Sequence, residues 1–327
     1  MIILGDFPDE MSLIEGRPFV GASGRLLDDL LLKNNIKRED CLLLNVFNER
    51  PPRNDQFYFF QASKGNKSKF PSYAGKLLKP EHEHHLNSLF STIDNSDKCI
   101  ILALGPIALW AITGKTGIKN YRGVTYEARS KKVIASYHPS AVHRDYGLRP
   151  ILFADIAKAA KNNNASRIRR KVRSVWVAER LADLQLFRRT KLEASSEFTY
   201  DIETIGDHIT HIAIATSPTS SICIPFRTLG DVPLYSIEEE AALWYELQEW
   251  FLMPKLKIAQ GGLYDLTHLY NQGLVVAPPI GDTMYLAHAL QPELPKALGF
   301  LGSLHCDEDA WKELRVKALV DETKDDS

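Results

Sequence analysis

Glu15-Gly16-Arg17-Pro18-Phe19-Val20-Gly21-Ala22-Ser23-Gly24-Arg25-Leu26-Leu27-Asp28 is the stretch on which the reading of this chain turns. It sets an aromatic ring on a glycine-punctuated loop directly ahead of a segment with amphipathic helical spacing. An exposed ring in such a backbone-rich pocket is suited to stacking on a flat ligand such as a nucleobase.

Working outward, apolar runs from Met1 to Leu4, Cys41 to Leu44 and Val133 to Tyr137 read as strands, and each stops at a polar residue: Asp6, Asn45 and His138. A fourth run, Cys99 to Leu104, ends at Gly105-Pro106 and opens a helical pattern from Ile107 to Ile112. Strands alternating with helices predict an open parallel α/β sheet, in which ligands bind beyond the carboxyl ends of the strands. Phe19, Asn45 and His138 are then expected on one rim, as a stacking face, a bidentate amide and a polarising imidazole.

Gly5-Asp6-Phe7-Pro8, Gly16-Arg17-Pro18-Phe19-Val20-Gly21, Asn45-Val46 with Arg50-Pro51-Pro52, and His138-Pro139-Ser140 occur in that order. As an ordered set they resemble the uracil-DNA glycosylase superfamily, closest to its family 4, over about Met1 to Lys161. The resemblance implies an enzyme that extrudes uracil from DNA and cleaves its bond to the sugar. It assigns Phe19 to stacking on the flipped base, Asn45 to the N3 and O4 edge and His138 to O2. Asp6 falls near the sugar, orienting water or offsetting positive charge. Two departures stand out: Asp6 replaces the family's Glu, and Asp9 replaces the Gly that follows Pro8. Family 4 also holds an iron-sulfur cluster on four cysteines, whereas Cys41, Cys99, Cys223 and Cys306 are scattered without a CxxC, and Glu49 occupies the place of a cluster cysteine. No cluster is expected.

Farther along, Phe198-Thr199-Tyr200-Asp201-Ile202-Glu203-Thr204 is strand-like, which puts the Asp201 and Glu203 carboxylates on one face and Ile202 on the other. Two carboxylates on one side repel unless a cation lies between them. Ile258 to Leu266, containing Gly261 and Asp265, and then Asp282-Thr283-Met284 ahead of a helical stretch, follow about sixty residues later. These segments resemble the 3'-5' exonuclease domain of family A DNA polymerases, particularly phage enzymes, over about Lys171 to Lys317. The resemblance implies a ribonuclease H-like mixed sheet flanked by helices, with Asp201, Glu203 and Asp265 as catalytic metal ligands for Mg²⁺ or Mn²⁺. Gly261 stands where the family usually has Asn. His305 and Asp309 have the spacing of the third motif and are candidate base and ligand, against the plainer reading of a surface helix start. Asp282 reads as a structural companion.

The boundaries expected are 1–161 for the glycosylase-like domain, 162–171 for a basic linker, 172–318 for an incomplete exonuclease-like domain and 319–327 for a polar, disordered tail. Net charge is −1, but residues 1–163 hold 23 Lys and Arg against 17 Asp and Glu, whereas residues 164–327 hold 17 against 24. A modestly basic first half suits phosphate contacts, and an acidic second half suits metal-binding carboxylates. Lys158 to Arg173 reads as a cationic linker that either tracks DNA backbone or is a solvated face. Asn54 to Tyr73 reads as an inserted loop, and His82, His84 and His85 as exposed helix residues in preference to metal ligands. The lack of a long apolar run excludes a membrane protein, and sparse cysteines point to a reducing compartment, the cytoplasm of a bacterium or phage-infected host. DNA is the expected partner, with a separate polymerase chain as a second. Two functional classes stay open: an enzyme excising uracil or trimming 3' ends, and a non-catalytic module that binds DNA or docks a polymerase.

Overall fold

A computed structural model describes residues 1–63, 68–168, 171–228, 230–308 and 310. Two compact units emerge: Met1–Arg170 together with the described residues from Glu293 on, and Lys171–Pro292.

The first unit begins with β1 (Ile2–Gly5), α1 (Glu10–Glu15), α2 (Ala22–Lys33), β2 (Leu42–Asn45), β3 (Phe60–Ala62), β4 (Lys76–Leu78), α3 (Glu83–Asp94), β5 (Ile100–Leu104) and α4 (Pro106–Thr113). It continues with α5 (Ile118–Tyr121), β6 (Thr125–Ala128), β7 (Lys131–Ser136), α6 (Pro139–Val142) and α7 (Leu148–Lys161). Its main sheet has the order β2-β1-β5-β7-β6. Neighbours are parallel except β6, which is antiparallel to β7. β1, β5 and β7 are buried along their length, because helices cover both faces and leave no room for polar alternation. Ile2 and Leu4 enter one core with Phe47, Phe59 and Trp110, while Ile3 enters the other with Phe19, Leu27 and Leu30. β1 therefore sends alternate residues to opposite layers.

Asn54 to Tyr73 is not simply an inserted loop. Its described part includes β3, which pairs antiparallel with β4, and its rings join the core: Phe60 stacks on Tyr73 at 4.7 Å and meets Trp110 edge-on at 5.0 Å. The apolar area of four aromatics within one short segment outweighs its Lys and Asn content.

The second unit contains β8 (Ser174–Val177), α8 (Leu181–Phe187), β9 (Glu197–Ile205), β10 (His208–Ser217), β11 (Ser220–Pro225), α9 (Ile237–Leu252), β12 (Leu256–Ala259), α10 (Leu263–Asn271), β13 (Ile280–Asp282) and α11 (Thr283–Leu290). Its sheet order is β13-β12-β9-β10-β11-β8. β9, β10 and β11 form an antiparallel meander, while β12 runs parallel to β9 and β13 parallel to β12. This is the mixed, helix-flanked sheet expected of a ribonuclease H-like domain. Its core joins Phe198, Tyr200 and Ile202 of β9 to Trp250 and Phe251 of α9.

Past the second unit the chain returns to the first as α12 (Leu298–His305). Residues 293–308 thus lie with the first unit, although the sequence groups them with the second half. Arg122 is the reason. Buried, it pairs with the buried Asp155, donates to Ser303 Oγ at 2.9 Å and lies under the Phe300 ring at 4.5 Å. Asp155 also accepts from Ser136 Oγ at 2.6 Å, and burial pushes its carboxyl up despite the neighbouring guanidinium. Lys158 donates to the carbonyls of Gly123, Ser303 and Cys306. Lys158 therefore belongs to a buried network on α7 and not to the linker. Buried charges of this kind are tolerated only when hydrogen-bonded and paired. Of the linker run, Arg169 and Arg170 lie outside the described residues, as does the whole 319–327 tail.

Candidate base-binding pocket

β1, β2, β5 and β7 end at Gly5, Asn45, Leu104 and Ser136, and their carboxyl ends surround a pocket of about 660 Å³. Among its lining residues are Asp6, Phe19, Asn45, Phe57 and His138. Phe19, Asn45 and His138, the three residues expected on one rim, thus line one cavity together with Asp6.

Phe19 is buried and not exposed as expected, with its backbone in the left-handed region at φ 57°. A bulky residue there is strained by about 1–3 kcal/mol unless its surroundings hold it. Arg38 supplies the restraint: it pairs with Asp28 of α2 and donates from Nη2 to the carbonyls of Pro18 and Phe19 at 3.0 and 2.9 Å. Gly24 is the second requirement, because a Cβ there would stand 1.9 Å from the Phe19 carbonyl oxygen. The ring lies 5.8 Å from the His138 ring at 22°.

His138 follows β7 at the start of α6. Its Nδ1 accepts from the Ser140 backbone N–H at 3.2 Å and lies 2.8 Å from Ser140 Oγ. Burial, with help from Arg144 and against Asp9, holds the imidazole down to about 4. At neutral pH the ring is therefore uncharged, and with Nδ1 accepting, its proton resides on Nε2. Asn45 is the buried last residue of β2.

Asp6 serves two ends. Its Oδ1 accepts from the Ala108 N–H at 2.8 Å, satisfying the first turn of α4. Burial pushes its carboxyl up to about 7, outweighing the lowering by the N–H groups of Ala108 and Ile107. Gly105, at φ 114°, lets the chain pass, since a Cβ there would stand 2.4 Å from Asp6 Oδ2. Asp9 has a local task, capping α1 by accepting from the Ser12 N–H at 2.8 Å. Gln56 and Phe57 also line the pocket and escaped the sequence reading. Only the aromatic density of Phe57 to Phe60 hinted at them.

The four-thiolate cluster does not fit this chain's donors. Glu49 is joined by the imidazoles of His82 and His85, and no thiol belongs to that group. His82 and His85 are buried and only His84 is exposed, which corrects the expectation that all three face solvent.

In the second unit, Asp201 and Glu203 lie on the exposed face of β9 while Ile202 is buried. Asp265, in the first turn of α10, accepts from the Ile202 N–H at 3.1 Å. β12 pairs with β9 only as far as Thr199, so the Asp265 carboxylate takes over where the ladder stops. Burial raises the Asp265 carboxyl, opposed by the Ile202 hydrogen bond. Asp282 accepts from the N–H groups of Gly261, Gly262 and Met284, and such bonds hold its carboxyl low despite burial. His305 ends α12 in the first unit, exposed, and Asp309 lies outside the described residues.

Among the described residues, no helix is long and apolar enough to cross a membrane. Comparison with solved structures gives likenesses to the EXD2 exonuclease domain (TM-score 0.28, 18% identity, covering 40% of this chain and 68% of that one) and to Escherichia coli RNase D (TM-score 0.31, 16% identity, 39% of this chain). The chain spans about a third of that RNase D, 32%. The type-4 uracil-DNA glycosylase of Thermotoga maritima is 33% identical over 165 residues, 49% of this chain and 75% of that protein. The enzyme of the same name from Pyrobaculum aerophilum is 30% identical over 166 residues, 48% of this chain and 74% of that protein. The family model for the uracil DNA glycosylase superfamily matches residues 1–161. With its strand order, its pocket at the carboxyl ends and these relatives, the chain belongs to the uracil DNA glycosylase superfamily.

Proposed function

We propose that the first unit excises uracil from DNA. The observation that carries this reading is the convergence of Phe19, Asn45, His138 and Asp6 on one pocket. A flipped uracil stacks on Phe19 and presents its N3–H and O4 to the Asn45 amide. Cytosine presents the reverse donor and acceptor pattern and leaves buried groups unpaired, which is the strong form of discrimination. As the bond from the sugar carbon to N1 breaks, its electron pair passes to the base and charge gathers on O2. The Nε2–H of neutral His138 donates to that oxygen, and a donor aimed at developing charge contributes roughly 3–4 kcal/mol. Water adds to the sugar carbon, and the Asp6 carboxylate accepts its proton, a task suited to a group titrating at about 7.

The test is a uracil-containing oligonucleotide treated with the protein and then alkali. Alkali-labile product that falls by about 10²-fold or more in His138→Ala and Asn45→Ala supports the proposal. No product from the unaltered chain rejects it in favour of a non-catalytic DNA-binding module.

For the second unit we propose a metal-dependent 3'-5' exonuclease, in a chain resembling the front of a phage family A polymerase. The supporting observation is the pair Asp201 and Glu203 on one face of β9, with Asp265 bonded to the backbone between them. Those three would hold Mg²⁺ or Mn²⁺, which supplies an activated water and charge stabilisation at the leaving oxygen. Mg²⁺-dependent degradation of single-stranded DNA that survives Asp201→Ala refutes the assignment.

A further inference from the structure

We propose that Glu49, His82 and His85 form a binding site for one divalent transition-metal ion of the zinc class. The site joins two segments that are distant in sequence. Glu49 lies four residues beyond Asn45, on the turn that leaves β2, while His82 immediately precedes α3 and His85 lies in its first turn. Glu49 Oε1 is 2.7 Å from His82 Nδ1 and 3.3 Å from His85 Nε2, and one ligand atom from each residue lies within 4.8 Å of the others. Ligand bonds of about 2.1 Å in tetrahedral geometry place ligand atoms roughly 3.4 Å apart, so modest side-chain adjustment admits the ion.

The surroundings favour a preformed site. The two imidazoles are 7% and 9% exposed, whereas Glu49 at 42% leaves a route for an ion to enter and a fourth position for water. Phe47 meets both rings edge-on, and Phe59 meets His82 edge-on at 5.1 Å, so rotation of the imidazoles is restricted. Two imidazoles and one carboxylate suit zinc or iron(II) and do not suit the four-thiolate cluster. Such an ion would pin the turn after β2 to the start of α3, and with it the strand end that presents Asn45. The uracil reading does not depend on this site, and binding is tested without DNA.

Chelator-treated protein comprising residues 1–327 is titrated with Zn²⁺ by calorimetry in millimolar Mg²⁺, which occupies the hard carboxylates of the second unit. Co²⁺ replaces Zn²⁺ in a parallel optical titration. The expected results are one equivalent bound, visible Co²⁺ bands of four-coordinate intensity, and at least tenfold weaker binding in Glu49→Gln and His85→Gln. Absence of binding by the unaltered chain overturns the site. So does equal affinity in both variants, which would leave Glu49 only a hydrogen-bond acceptor for two imidazoles. Should a variant fail to fold, ring signals of His82 and His85 in the unaltered protein decide: a shift on adding Zn²⁺ supports the site and constancy overturns it.

Discussion

Replacing Gly5 by alanine tests the pocket at its back wall. Gly5 ends β1 on the face that carries Ile3, and a Cβ built there stands 2.6 Å from Asn45 Oδ1, 2.7 Å from Phe19 Cζ and 3.3 Å from Phe19 Cε2. Ordinary carbon–oxygen and carbon–carbon contacts begin at about 3.3 and 3.5 Å, so both side chains must retreat by roughly 0.7–1 Å. Phe19 has little freedom to do so, because Arg38 and Gly24 fix its backbone. Overpacking of this kind costs about 1–3 kcal/mol of stability. Displacing base-holding groups by about 1 Å lowers the excision rate by roughly 10²-fold. The assay is single-turnover excision from a uracil-containing oligonucleotide, paired with urea denaturation. Gly16→Ala is the control: at φ 66° it is strained by about 1–2 kcal/mol, yet nothing lies within 4 Å of its Cβ. It should lose stability without losing excision. A Gly5→Ala protein with unaltered rate and unaltered denaturation would refute the placement of Asn45 and Phe19 against the end of β1.

Other expectations follow from the same geometry. Excision should rise through about pH 7 as Asp6 ionises, and Asp6→Asn should remove that limb and most of the rate; a limb that persists in the variant identifies another group. The folded Asp6 carboxyl titrates above its ordinary value of 3.8, so native protein keeps a proton that unfolded chain releases. Stability should therefore fall as pH rises from about 4 to 7, and Asp6→Asn should flatten that slope in denaturation curves. Arg122→Ala leaves Asp155 buried without its guanidinium and should cost about 3–5 kcal/mol by urea denaturation; a loss under about 1 kcal/mol would show that the pair is compensated elsewhere.

The first unit was legible because its parallel strands are buried on both faces and so read as apolar runs, each ending at a polar residue that cannot continue them. Asp6, Asn45 and His138 were visible as such stops. Phe19 was misjudged in exposure, since its ring packs with Ile3, Leu27 and Leu30 while Arg38 reaches back across nineteen residues to hold its carbonyl, contacts no local pattern encodes. His82 and His85 were misjudged for the same reason: beside Glu81 and Glu83 they look solvated, yet Phe47 and Phe59, more than twenty residues earlier in the chain, pack edge-on against their rings. The strand carrying Asp201 and Glu203 was readable from period-two alternation. Asp265 bonding the Ile202 N–H was not, because it depends on β12 ending at Ala259.

The return of the chain after Pro292 bears on any attempt to prepare the halves separately. Cutting in the region of Ile168 would strip Lys158 of two of its three carbonyl acceptors and Arg122 of the Ser303 hydroxyl, leaving the first only the Gly123 carbonyl and the second only Asp155. The first unit is therefore discontinuous along the sequence, Met1–Arg170 together with the described residues from Glu293 on, and Lys171–Pro292 stands as an insert between its two parts.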